Sequence, residues 1–338
     1  MIQRLMVMAA GIIFTFCLMS CKDKVRENEE LRKNKIVQTK IRNPIVDGFF
    51  ADPSMVKHNS KYYIYATVDP WGGDELAVFE SSDFKNWEQK HLNWPTLEAC
   101  KTENSSGARV WAPSVIQGKN KKFYMYVSVG SEIWLGVADN PLGPWKNAKA
   151  DNTPIIGKNV RPDYHMIDAE VFIDDDEKVY LYWGSALTWE QESRCFMVEL
   201  QDDMVSFNES MIKDVTPPNY FEAPFMLKRN NKYHLMYSQG KCIDATYMVR
   251  SAVGNTPYGP WVEEKNSPIL STAADSIPLG PGHHAVIKIK NQDYILYHRI
   301  KDNNNTLLRE LAIDSLNFDK EGQMLAVNPD GGVLYESQ

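Results

Sequence analysis

Ala51-Asp52-Pro53-Ser54 is the first of five short phrases whose recurrence decides the fold. The others are Trp111-Ala112-Pro113-Ser114, Ile167-Asp168-Ala169-Glu170, Phe221-Glu222-Ala223-Pro224 and Gly282-His283-His284-Ala285. Their second residues lie 60, 56, 54 and 61 positions apart. Soon after each comes an aromatic segment: Tyr62-Tyr63-Ile64-Tyr65, Phe123-Tyr124-Met125-Tyr126, Val179-Tyr180-Leu181-Tyr182, Tyr233 to Tyr237 and Tyr294-Ile295-Leu296-Tyr297. A fixed period of this length marks a repeat architecture.

Each unit carries the signals of four short strands. An apolar strand follows the phrase, and a polar turn such as Lys57-His58-Asn59-Ser60 or Lys228-Arg229-Asn230-Asn231 leads into the aromatic strand, as in a tight hairpin. A third strand follows, and then a turn closed by Trp87, Trp145, Phe207, Trp261 or Phe318. The fold expected is all-β: a five-bladed β-propeller with four-stranded antiparallel blades around a central channel. The aromatic stripes then pack blade against blade.

Composition agrees. The 338 residues are 43% hydrophobic and include 9 Trp, 16 Tyr and 13 Phe, enough for a large core built of strands. The net charge of -7, with no clustered basic face, gives no footprint for nucleic acid. At the N-terminus, Arg4 precedes an apolar run from Leu5 to Met19 that ends in Ser20-Cys21, so residues 1–21 read as a lipoprotein signal peptide with Cys21 acylated. Residues 22–40 read as a charged, flexible tether, and 41–338 as the propeller domain. The expected location is therefore exported and lipid-anchored in the cell envelope, with the membrane touched only through that anchor and the protein a monomer. Cys100, Cys195 and Cys242 remain in the body. Cys195 and Cys242 occupy corresponding loops, so either one disulfide or three free thiols fits.

Propeller topology decides which residues meet. The first strands line the channel, so the second residues of the phrases, Asp52, Ala112, Asp168, Glu222 and His283, are expected around one mouth. The loops leaving the second strands return to the same mouth and carry Trp71, Ser131, Trp189, Gln239 and Arg299. Three carboxylates converging on a narrow, partly dry mouth repel one another, which raises at least one pKa and supplies a neutral acid beside an ionised base. Capping or a structural ion pair is the plain alternative, but it would call for similar residues in all five units. Trp111 and Phe221 flank the ring as an apolar floor, with Trp71 and Trp189 as loop-borne additions.

The five phrases, together with Asp174-Asp175-Asp176 and Gly280-Pro281-Gly282-His283, resemble the blade openings of glycoside hydrolase family 43, from about Pro44 to the C-terminus. The resemblance implies an inverting glycosidase acting on arabinose- and xylose-containing polysaccharides or their oligosaccharides, an exo-acting α-L-arabinofuranosidase or β-xylosidase. It implies Asp52 as general base, Glu222 as general acid and Asp168 as the carboxylate that tunes and orients the acid. It implies that Arg299 holds a sugar hydroxyl, unless it pairs with Glu310 instead, and that His283 lies near a structural calcium in the channel, unless it is a packed histidine bonded to the channel wall. No cofactor is expected for the chemistry itself. The 24-residue stretch Lys90 to Pro113 is expected to close one end of the mouth. A cell-surface glycan-binding propeller without turnover is the competing reading, and it leaves the carboxylate set without a purpose.

Overall fold

The computed structural model describes residues 37–274, 278–329 and 333–337. The leader and most of the proposed tether lie outside the described residues. Among the described residues no helix is long and apolar enough to cross a membrane.

Five antiparallel sheets follow one another in chain order, as the period predicts. The first strands of the blades are Phe50–His58, Val110–Gln117, Glu170–Ile173, Glu222–Arg229 and Leu279–Ile289. Blades one to four each have four strands, the outermost short. Blade five has three laddered strands, ending with Asn305–Leu316. The outer edge of that last strand is taken by residues near the start of the domain. Ile45 N–H donates to Leu311 O at 2.9 Å, and Ile313 N–H donates to Asn43 Oδ1 at 2.8 Å. The segment just before blade one is thus joined to blade five, which closes the ring. A separate two-stranded sheet pairs Val37–Ile41 with Val333–Ser337.

Local chemistry explains the hairpins. Asn59-Ser60 and Asn230-Asn231 both have positive φ at their two central residues, the conformation that matches the twist of a two-residue hairpin and that asparagine tolerates best. Between blades the aromatic strands do what their sequence implies. Tyr65, Tyr126 and Tyr182 are buried and reach the next blade's turn, donating to Pro141 O, Met204 O and Pro257 O at 2.5–2.7 Å. Each pairing satisfies a buried hydroxyl while its ring fills the interblade core.

The stretch from Lys90 to Pro113 packs between blades one and two instead of walling the mouth. Trp94 lies so close to Gly136 that a Cβ there would sit 2.2 Å from its ring, and Cys100 is buried in the same core. Of this stretch only Trp111 lines the central cavity. Cys100, Cys195 and Cys242 are free and buried, so no disulfide joins Cys195 to Cys242.

Candidate active site

The phrases share a backbone device. Asp52, Ala112, Asp168 and His283 have φ of 50°, 45°, 58° and 38°, a left-handed kink that side chains other than glycine's rarely adopt. In blades one, two and five the kink coincides with a register shift in the first hairpin, so the strand bulges and turns its side chain into the mouth. Blade four departs from the expected phase. Its kinked residue is Ala223 (φ 54°), and Glu222 pairs with Ser238 as Trp111 pairs with Ser128 and Ala51 with Thr67. Glu222 therefore enters the mouth from one position earlier than Asp52 and Asp168 do. Gly282 holds the corresponding place in blade five, where a Cβ would meet the Tyr247 ring at 2.0 Å.

The kinked amides are tied around the channel by the end of the preceding blade's second strand. Ala112 N–H donates to Thr67 Oγ1 (2.8 Å), Asp168 N–H to Ser128 Oγ (3.0 Å), His283 N–H to Ser238 Oγ (2.9 Å), and Asp52 N–H to His298 Nδ1 (3.3 Å). Blade three offers Gly184 at this place, and the Ala223 N–H is taken up instead by the Asp168 carboxylate. Ala112, silent in its side chain, still contributes: the Thr67 hydroxyl that receives its N–H donates in turn to Asp52 Oδ2 at 2.7 Å.

Asp52, Asp168, Glu222 and His283 all face one cavity of about 490 Å³. Trp111, Phe221, Trp71 and Trp189 supply its aromatic walls, with Trp189 stacked on Phe221 at 5.1 Å between ring centres. Burial works against the charge of Asp52, yet the Arg309 guanidinium, 3.5 Å from Oδ1, and His283 Nδ1, 3.2 Å away, outweigh it and hold Asp52 well below the ordinary carboxylate range. Asp168 moves the other way. Burial, then the neighbouring Glu222 and Asp52, push it well up, and its Oδ1 has no hydrogen-bond partner. Burial also raises Glu222, to about 7, against the pull of the Tyr247 hydroxyl that donates to Oε1 at 2.7 Å. Asp168 and Glu222 titrate as a pair that keeps a proton near neutrality. One face of the cavity thus offers an ionised carboxylate and another a protonated one.

Arg299 is not in this cavity. It is buried against Glu310, with Nε 2.9 Å from Oε1, the pairing that register predicts across the last hairpin. The cavity's guanidinium is Arg309, anchored by Asp69 through bonds of 2.6 to 2.9 Å from Nη2, Nε and its own backbone N–H. Its sequence signal is a lone arginine in the run Leu307-Leu308-Arg309, on a third strand instead of a second-strand exit loop. Tyr247, His298, Ser185 and Cys242 also belong to the site or its support and carry no motif. Among the described residues no group of three or more His, Cys, Asp or Glu is placed to hold a metal. His283 is turned to Asp52 and, at 3.7 Å, to Asp168 Oδ2.

Comparison with known proteins agrees with this geometry. The sequence is 32% identical over 307 residues to the β-D-galactofuranosidase of Aspergillus niger, covering 86% of each chain. It is 26% identical over 328 residues to the β-xylosidase of Xylanibacter ruminicola, covering 82% of this chain and 97% of the relative. Among solved structures, a thermostable family-43 glycoside hydrolase superposes with a TM-score of 0.72 at 27% identity, over 88% of this chain and 99% of that one. Residues 41–324 match the profile of glycosyl hydrolases family 43, and the chain belongs to that family.

Proposed function

We propose that this glycosidase releases a terminal arabinofuranosyl or xylosyl residue from plant polysaccharides or their oligosaccharides, with inversion. The observation that carries the assignment is three carboxylates facing one aromatic-walled cavity, with Asp52 against the Arg309 guanidinium, which favours its charge, and Asp168 and Glu222 buried together, which disfavours theirs. Asp52 takes the proton from the attacking water as it adds to the anomeric carbon. Glu222 gives its proton to the glycosidic oxygen as that bond breaks, and Asp168 orients it and resists its early loss. Inversion asks for a base and an acid roughly 6.5–9.5 Å apart, a gap suited to residues from blades one and four across a mouth. No step passes through a metal.

The substrate reading draws on the relatives, which include a β-xylosidase, a xylosidase/arabinosidase and arabinoxylan arabinofuranohydrolases. The galactofuranosidase adds a second furanoside to the screen. We propose α-L-arabinofuranosides first and β-xylosides second. Para-nitrophenyl α-L-arabinofuranoside, β-D-xyloside and β-D-galactofuranoside, given to the parent and to Glu222→Ala, test this. The parent is expected to turn over the first fastest and Glu222→Ala to lose that turnover; equal rates would remove Glu222 as the acid. Proton NMR of the first-formed anomer tests inversion. Export through the leader and anchoring at Cys21 belong to the same proposal, read from radiolabelled palmitate incorporation lost in Cys21→Ala.

A further inference from the structure

Trp71 is the most exposed aromatic of the cavity, 44% accessible, and its φ of 59° puts a bulky residue in the left-handed region. A strained, exposed indole keeps one position only if its surroundings hold it. The loop around it is gripped from several sides. Asp69 is bound to Arg309, whose guanidinium lies 5.4 Å from the centre of the Trp71 ring. On the other side Gly73 and Val110 form an antiparallel bridge, with Val110 N–H donating to Gly73 O at 3.0 Å. Gly72, at φ 93°, lies so close to residues 109–111 that a Cβ would meet Val110 O at 2.7 Å.

Between these anchors one side chain brackets Trp71. Arg109 Nη1 donates to Pro70 O at 3.0 Å and to Gly72 O at 3.1 Å, the carbonyls of the two residues that flank Trp71. Arg109 does not line the cavity. Its bonds hold the peptide that enters Trp71 and the one that leaves Gly72, so the short segment carrying the ring is pinned at both ends. The same residue immediately precedes the strand Val110–Gln117 that carries Trp111 into the cavity.

We propose that Arg109 is a positioning residue that holds Trp71 against Arg309 as a preformed aromatic wall on the Asp52 side of the cavity, where it receives a sugar ring. Because the strained loop is already in place, the sugar binds without ordering it, and the contribution is to binding more than to the bond-breaking step. The long stretch between blades one and two therefore acts on the mouth at a distance, through a clamp and not a cover. This rests on the cavity being a sugar site, and the two claims can fail separately.

The test is a double-mutant cycle of Arg109→Ala and Trp71→Ala, with Arg109→Lys as the conservative variant. On para-nitrophenyl α-L-arabinofuranoside and β-D-xyloside, Arg109→Ala is expected to raise KM about fivefold with kcat and the pH profile unmoved. Arg109→Lys, which keeps a donor for one carbonyl, should recover part of that loss. In the Trp71→Ala background the Arg109→Ala change should have no further effect. An unchanged KM, or an equal loss with and without Trp71, would overturn the clamp. Calorimetric titration of arabino- and xylo-oligosaccharides into the same four proteins gives the answer from binding alone. If the parent binds these sugars without turning them over, the catalytic reading fails while the clamp is still judged by the cycle.

Discussion

Asp52 and Asp168 make the most instructive pair in the molecule. Both sit on a left-handed kink at the opening of a blade, with φ of 50° and 58°, and both are 3% exposed. Burial alone would raise both. Asp52 is nevertheless driven down and Asp168 up, and the whole difference lies in what the neighbouring blades bring. Beside Asp52, blade five brings Arg309 and His283, and blade one its own Thr67. Beside Asp168, blade four brings another carboxylate, Glu222, and a single backbone amide. A repeat can thus place one residue type twice and still obtain a base and a proton-holding partner, because each blade's opening is completed by side chains from others.

The largest test of this contrast removes the ionised member. Asp52→Asn keeps the size and the Thr67 contact but cannot take a proton, and kcat is expected to fall roughly a thousandfold, measured with an aryl glycoside. The next removes the raised member's charge. In the parent, kcat/KM should decline as pH rises through about 7, where Glu222 loses its proton, while the very low pKa of Asp52 leaves no acid limb above the ordinary carboxylate range. Asp168→Asn puts a neutral amide where a proton-holding carboxyl stood, so the alkaline limb should then follow Glu222 alone, at about 7. Stability follows the same sign. Groups with raised folded pKa bind more protons folded than unfolded, so their contribution is greatest below the ordinary carboxylate range and falls as pH rises toward about 7. Urea midpoints across that window should fall less for Asp168→Asn than for the parent. The smallest test is Tyr247→Phe. Removing the hydroxyl that favours ionised Glu222 should move the alkaline limb up by about half a unit.

The blades were legible because their signals are local and repeated: a kinked phrase, a polar turn and an aromatic strand, five times over. The carboxylates and Trp71, Trp111 and Phe221 were legible for the same reason, since the repeat assigns each a place. Arg309 was not. A third strand has no phase relation to the mouth that the phrases could calibrate, and Arg299, adjacent to the recurring aromatics, matched the expected loop while its partner was Glu310 across the hairpin. The one-residue advance of Glu222 was hidden too, because Phe221-Glu222-Ala223-Pro224 aligns with its sister phrases either by its carboxylate or by its proline, and only the strand register decides. Tyr247 and His298 lie flat against each other, ring centres 5.5 Å apart, one bound to the acid and the other to the base's amide. Nothing along the chain marks that contact.

The closure of the ring at Asn43 and Ile45 bears on how the enzyme comes into being. Asn43 meets Ile313 across 270 positions of sequence, and Asp52 meets Arg309 across 257. During synthesis the base precedes its counter-charge by 257 residues. A nascent or C-terminally clipped chain has Asp52 in a half-built mouth without the guanidinium that keeps it ionised. The base's environment is therefore complete only when the fifth blade docks against the first.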